Sequence, residues 1–186
     1  MKIIETGIPD LFIIEPRVFP DSRGYFFESY SKQALEENGL NYNFVQDNQS
    51  KSSYGVIRGL HYQLPPHAQT KLVRVVQGAV WDVAVDIRKG SPTFGKWFGV
   101  ELTEDNKRQF LIPRGFAHGF SVLSQTAVFF YKCDEFYHPG SEASIKYNDG
   151  TLNVDWKIEA ASALVSDKDE RGADFSSCKN TFEYKK

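Results

Sequence analysis

This sequence predicts an all-β fold, an antiparallel sandwich or barrel with few short helices. Three observations carry that expectation. Short runs rich in β-branched residues recur along the chain, Gly, Pro and Asn turn signals separate them, and helical periodicity is scarce. From the N-terminus, Ile3 to Ile14 reads as extended and is expected to form an arm. The best helical signal is Ser31 to Gly39, with Ser31 placed to cap the first turn and Gly39 to end the last. Val73 to Ile87 is a β-branched stretch broken once, at the Gln77-Gly78 turn signal. Trp97 to Leu102 is a strand that runs into a Glu104-Asp105-Asn106 turn. Gln109 to Ile112 and Phe120 to Lys132 continue the pattern around Pro113-Arg114-Gly115. After Trp156 the chain turns polar, with one short helix expected near Glu159 to Leu164. No repeat, low-complexity tract or linker interrupts it, so residues 1–186 are expected to form one domain with an N-terminal arm and a C-terminal tail.

Composition narrows the function. Hydrophobic residues make up 41% of the 186 and charged residues 25%, which excludes wholesale disorder. A net charge of −2 offers no basic field for nucleic acid. No long apolar window suggests a transmembrane helix, and Met1 to Asp10 lacks a basic region followed by an apolar run, so neither membrane insertion nor secretion is expected. Cys133 and Cys178 make no disulfide framework and lack zinc spacing, which fits reduced thiols in a cytoplasmic protein.

Charge is uneven along the chain. From Asn48 to Trp81 there is no acid, but Lys51, Arg58, Lys71, Arg74, His61 and His67 all fall there. Such a cluster suits an anionic small ligand such as a diphosphate; pairing with acids elsewhere in the fold explains it equally well. Further on, Pro113-Arg114-Gly115-Phe116-Ala117-His118 resembles the second signature of cupin jelly-roll barrels, whose histidine binds a metal. The matching first signature would supply a His-x-His pair and a nearby glutamate. Here it is His61-Tyr62-Gln63, with no carboxylate close by. A divalent metal wants at least three suitable ligands, so the expectation is a cupin-type barrel without a metal or other cofactor.

Together the motifs are more specific. Arg58-Gly59-Leu60-His61-Tyr62-Gln63, Lys71-Leu72-Val73-Arg74, Asp82 to Arg88, Ser91-Pro92-Thr93-Phe94-Gly95 and Gly115 to Phe120 resemble the dTDP-4-dehydrorhamnose 3,5-epimerase family. Glu15 to Phe19, Asp21 to Gly24, Phe44 to Asn48, Tyr131-Lys132-Cys133, Tyr147-Asn148-Asp149 and Ser166 to Asp169 agree, in order, from about residue 8 to about residue 170. The resemblance implies an isomerase of dTDP-4-dehydro-6-deoxy-D-glucose in dTDP-L-rhamnose biosynthesis. It implies His61 as general base, Asp169 as its partner, Lys71 as the enolate's stabiliser and Tyr131 as the acid on the opposite ring face. Without it, His61 reads as a satisfied core histidine, Tyr131 as core, Lys71 as a barrel-mouth lysine, and Ser166 to Glu170 as a solvated loop.

By the same resemblance Gln46, Asp47, Asn48 and Arg58 contact the dTDP-sugar, together with His118, Glu142 and Lys168. Arg23 and Glu28 lie on an N-terminal segment that the family passes to the partner subunit, which implies a homodimer with shared sites. Phe19, Phe26 and Tyr137 are candidate walls or stacking residues. Three alternatives stay open: epimerisation at C3 or C5 alone, a metal-dependent cupin dioxygenase, and a sugar-nucleotide binding barrel without catalysis.

Overall fold

The computed structural model describes residues 1–185, so the last position of the expected domain lies outside the described residues. Two antiparallel sheets face each other as a jelly roll. The first has six strands in the order β1 (Lys2–Glu5), β2 (Phe12–Glu15), β10 (Gln109–Ile112), β7 (Lys71–Gln77), β12 (Thr126–Cys133) and β5 (Gln46–Ser53). The second has five: β13 (Glu142–Ser144), β6 (Ile57–Gln63), β11 (Phe116–Val122), β8 (Ala79–Asp86) and β9 (Trp97–Thr103). A separate hairpin, β3 (Val18–Asp21) with β4 (Gly24–Phe27), is hydrogen-bonded into neither.

Alternation along these strands fills the barrel. Val73 and Val75 of β7, Val80 and Ala84 of β8, Phe110 and Ile112 of β10, and Phe129 of β12 all meet in one interior cluster. Phe120 stacks on Phe129 at 4.2 Å between ring centroids, closing the interior below the open end. On the outside of the five-stranded sheet, Ile57, Leu60, Val83 and Val85 pack under the chain that follows β13. The C-terminal tail binds there too: the Tyr62 hydroxyl donates to the Lys179 carbonyl at 2.6 Å, and Phe182 is buried.

The fold class and several elements match the expectation. Gly78, at φ +79°, makes the turn between β7 and β8. Ser31 caps α1 (Lys32–Glu36) by accepting from the Ala34 N–H. Gly39, at φ +79°, ends it, with Leu40 N–H bonded to Leu35 O and Gly39 N–H to Glu36 O, a Schellman closure. Other readings need correction. Ile3 to Ile14 is two strands of a hairpin, Lys2 opposite Glu15, packed at the edge of the six-stranded sheet; the projecting element is the β3–β4 hairpin. Phe120 to Lys132 is the end of β11 and most of β12, divided at Leu123 to Gln125, where no Gly or Pro announces a turn. The helix expected at Glu159 to Leu164 is a single 3₁₀ turn, Ala160–Ser162. Ser166 to Glu170 is not a solvated loop: Ser166 caps a one-turn helix, α2 (Asp167–Glu170), and Asp169 is buried.

One buried ion pair locks the N-terminal segment, the tail and the barrel together. Arg88 donates two bonds to Asp86 at 2.9 Å, one to Asp10 at 2.7 Å and one to the Pro9 carbonyl at 2.9 Å. Its guanidinium lies over Phe116 and Tyr184 at 4.6 and 4.9 Å. Burial raises the Asp86 carboxyl, but Arg88, Ser91 and Thr93 outweigh it and hold the group below its ordinary value. Arg88→Leu leaves that carboxylate buried without its counter-charge. Chemical denaturation should show a loss of about 3–5 kcal/mol, the usual cost of breaking a buried pair from one side.

Candidate active site

A β-bulge builds the centre of the site. On β6 and β11, His61 pairs with His118 and Arg58 with Phe120, so three residue steps on β6 match two on β11. Residues three apart on a regular strand face opposite ways; the extra residue puts Arg58 and His61 both on the cavity side. Glycines make this possible. A Cβ on Gly59 would lie 2.5 Å from the Gly119 Cα, and one on Gly119 would lie 2.7 Å from the Arg58 carbonyl oxygen. Gly59 and Gly119 therefore belong to the motifs around the two histidines because the strands touch there.

The open end holds a cavity of about 380 Å³, lined among others by Arg58, His61, His118, Lys71, Tyr131 and Asp169. A second recess of about 260 Å³ shares His61, Lys71, Tyr131 and Asn48 with it and adds Gln46, Tyr137 and Glu142. His61 and His118 come from the five-stranded sheet, Lys71, Tyr131, Gln46 and Asn48 from the six-stranded one. His61 and Tyr131 thus face the same space from opposite walls.

His61 Nε2 is hydrogen-bonded to Asp169 Oδ1. Burial raises the Asp169 carboxyl, but the bonds from His61 and Ser166 prevail and hold it below the usual carboxylate range. With Nε2–H donated to Asp169, Nδ1 is the nitrogen free to take a proton. Burial lowers the Lys71 ammonium from its ordinary value, opposed by Cys133, Asp82 and Glu142. Its Nζ lies 5.9 Å from the Tyr131 ring centroid. Burial also raises the Tyr131 phenol, so Tyr131 holds its proton at neutral pH.

The sequence reading missed Asp82. It is fully buried on β8 and bonded to His118 Nε2 at 2.9 and 3.1 Å. Burial pushes its carboxyl up and the His118 imidazole down. The available signal was an acid set between Trp81 and Val83, inside a run of apolar residues from Ala79 to Val85.

Not every candidate enters the cavity. Asp47 is exposed and accepts from Lys132 at 2.9 and 3.1 Å. Arg23, at the tip of the β3–β4 hairpin, has an 88% exposed side chain paired with Asp21, and Glu28 is exposed just after β4. Of the four cations between Asn48 and Trp81, Arg58 and Lys71 reach the cavity; Arg74 lies over Phe27 and Phe130, and Lys51 is exposed. Lys168 adds a cation from α2 and donates to Glu142 at 2.6 Å. Among the described residues no three His, Cys, Asp or Glu side chains gather as a metal's ligands. His67 stands apart, stacked on His138.

The fold and these side chains define a cupin-type barrel whose open end sets a histidine–aspartate pair on one wall and a tyrosine on the other. A family model for dTDP-4-dehydrorhamnose 3,5-epimerase matches residues 5–177. The chain belongs to that family. It is 56% identical over 176 residues to the dTDP-4-dehydrorhamnose 3,5-epimerase of Shigella flexneri, covering 94% of this chain and 96% of the relative. The crystal structure of the Elizabethkingia anophelis enzyme of that name superposes with a TM-score of 0.91 at 58% identity, over 95% of this chain and 97% of the other. A Legionella pneumophila dTDP-6-deoxy-D-glucose-3,5-epimerase, solved with dTDP-4-keto-L-rhamnose, gives 0.91 at 52% identity, over 95% and 93%.

Proposed function

We propose that the protein epimerises dTDP-4-dehydro-6-deoxy-D-glucose at C3 and C5, giving dTDP-4-dehydro-L-rhamnose for dTDP-L-rhamnose biosynthesis. The observation that carries this reading is the opposition of His61 and Tyr131 across one cavity. Both carbons flank the 4-ketone, so their C–H bonds are acidic. His61 removes the proton from one face, and the electron pair moves onto the 4-oxygen as an enolate. The Lys71 ammonium stabilises that oxygen, a contribution of about 10²–10³-fold for one well-aimed donor. Tyr131 then gives its proton to the opposite face, inverting the carbon; once the His61 imidazolium has lost its proton to solvent and the Tyr131 phenolate has regained one, the sequence repeats at the second carbon. Asp169 holds the His61 tautomer and stabilises the imidazolium. The chemistry calls for neither redox change nor a Lewis acid.

Arg58 and Lys168 suit the diphosphate, while Gln46, Asn48, His118 and Glu142 suit the sugar and base through hydrogen bonds. Incubation with the substrate in D₂O tests the whole reading: deuterium is expected at both C3 and C5, and exhaustive chelation should leave its incorporation unchanged. Label at one carbon alone would instead make this a C3-only or C5-only enzyme. Loss of activity on chelation, with recovery on adding metal, would favour the metal-dependent class.

A homodimer with exchanged arms belongs to the same reading, each chain contributing one domain. The β3–β4 hairpin exposes Phe19, Tyr25 and Phe26 at 46%, 58% and 69%, an apolar load suited to a second copy. Arg23 and Glu28 would then serve the partner's site. Mixing decides it: heterodimers of an Arg23→Ala chain and a His61→Asn chain should regain one intact site and about half the wild-type rate. If arms stay with their own subunit, mixing restores nothing. The nucleotide-sugar substrate and the unpaired Cys133 and Cys178 support action in the cytoplasm.

A further inference from the structure

Two residues past His61 on β6, where a metal-binding barrel of this type has its second histidine, stands Gln63. It is 5% exposed, and all three hydrogen-bonding directions its amide uses are spoken for. Its Oε1 accepts from the His138 N–H at 2.7 Å, and its Nε2 donates to the carbonyls of His67 at 2.7 Å and Phe136 at 3.2 Å. Phe136 and His138 flank Tyr137, whose own N–H donates to Gln46 Oε1 at 3.1 Å. Three consecutive backbone units are thus suspended from two side-chain amides on the cavity wall. The third bond draws in the loop after β6, and the His67 and His138 rings stack there at 4.0 Å. What this suspension presents is the Tyr137 side chain, half exposed at the mouth, with its hydroxyl donated to Glu142 at 3.0 Å.

We propose that Gln63 is a positioning residue for substrate recognition: by gripping the backbone on both sides of Tyr137 it fixes the aromatic wall against which the nucleotide half of the substrate rests. The proposal builds on the function inferred above. An amide is the side chain the place demands, because it must accept from one N–H while donating to two carbonyls. A carboxylate cannot donate to them, and an apolar side chain would leave all three partners unmet in a buried place. Preorganisation is the energetic route: a wall already held still needs no ordering when the ligand arrives.

The test reads dTDP affinity by calorimetry alongside turnover and thermal stability. Gln63→Met should weaken dTDP about tenfold, the size expected when one side chain must be ordered on binding. KM for the nucleotide sugar should rise in step, while kcat changes by less than about threefold, since the base and acid are untouched. In a Tyr137→Ala background the same substitution should cost no further affinity. Gln63→Glu supplies a second reading should the methionine variant fold poorly. Its ionised form faces two carbonyl oxygens, whereas the neutral acid regains one donor. Burial beside those carbonyls raises a carboxylic acid above its ordinary range, so the variant's dTDP affinity, as a ratio to wild type at each pH with His67, His138 and Glu142 common to both proteins, should recover as pH falls from about 8 to about 5.5. Unchanged affinity in folded Gln63→Met, a pH-independent ratio for Gln63→Glu, or an equal loss in the Tyr137→Ala background overturns the proposal. Wild-type protein that fails to bind dTDP overturns instead the functional reading beneath it, and shows this before any variant is made.

Discussion

His61→Asn should silence deuterium incorporation at C3 and at C5 together, by at least the roughly 10²–10⁴-fold that a positioned base supplies. His61 lines the cavity wall with buried Asp169 behind it, and the two acidic carbons share a single ketone, so one base is asked to serve both. Asparagine keeps a hydrogen bond to Asp169 within reach, which separates loss of the base from collapse of the pair. Asp169→Asn should slow the same step by less, because the imidazole remains but loses the charge that stabilises its protonated form. Exchange that continues at one carbon at the wild-type rate would show a second base, and His118 with its Asp82 partner is the group to examine next.

Tyr131→Phe should divide the reaction in half. Deprotonation by His61 survives, since phenylalanine keeps the ring between Phe129 and the Lys71 ammonium and removes only the hydroxyl. Return of the proton to the opposite face does not. Substrate recovered from D₂O should therefore carry label with its configuration unchanged, because the His61 imidazolium exchanges with solvent and returns deuterium to the face it left. Wash-in should outrun epimerisation by about 10²–10⁴-fold. Normal epimerisation in this variant would move the acid elsewhere, Tyr137 first. Loss of both exchange and product would give Tyr131 a part in binding or in stabilising the enolate.

How much of this the sequence disclosed depends on where burial leaves a mark. Val73 to Ile87 was legible because strands buried between two layers must be β-branched and apolar, and because the turn at Gly78 requires positive φ. Strand β5, Gln46–Ser53, gave no such sign: it lies at a sheet edge, is polar on both faces, and shows only the alternation of the residues that reach the cavity. His61 and His118 could be found from the motifs around them. Their carboxylate partners could not be read from spacing, since Asp82 and Asp169 lie 36 positions from His118 and 108 from His61. Nothing local separates Asp169 from Asp167 either; the α2 turn alone buries one and exposes the other. The opposition of Tyr131 to His61 is a property of two sheets, and no single strand contains it.

Along a strand, inward and outward form a two-letter alphabet, and the bulge in β6 is a frameshift in it: Arg58 is read in one phase, His61 and Gln63 in the other. Substitution cannot produce such a change by degrees. Straighten the bulge with every residue kept and the imidazole turns to the outer face, where Leu60 and Tyr62 now pack, while the leucine is swung toward the ligand. Base and clamp keep their common face together, through the bulge. The address of the whole catalytic wall thus hangs on the two glycines where the strands touch, since they give the bulge its room.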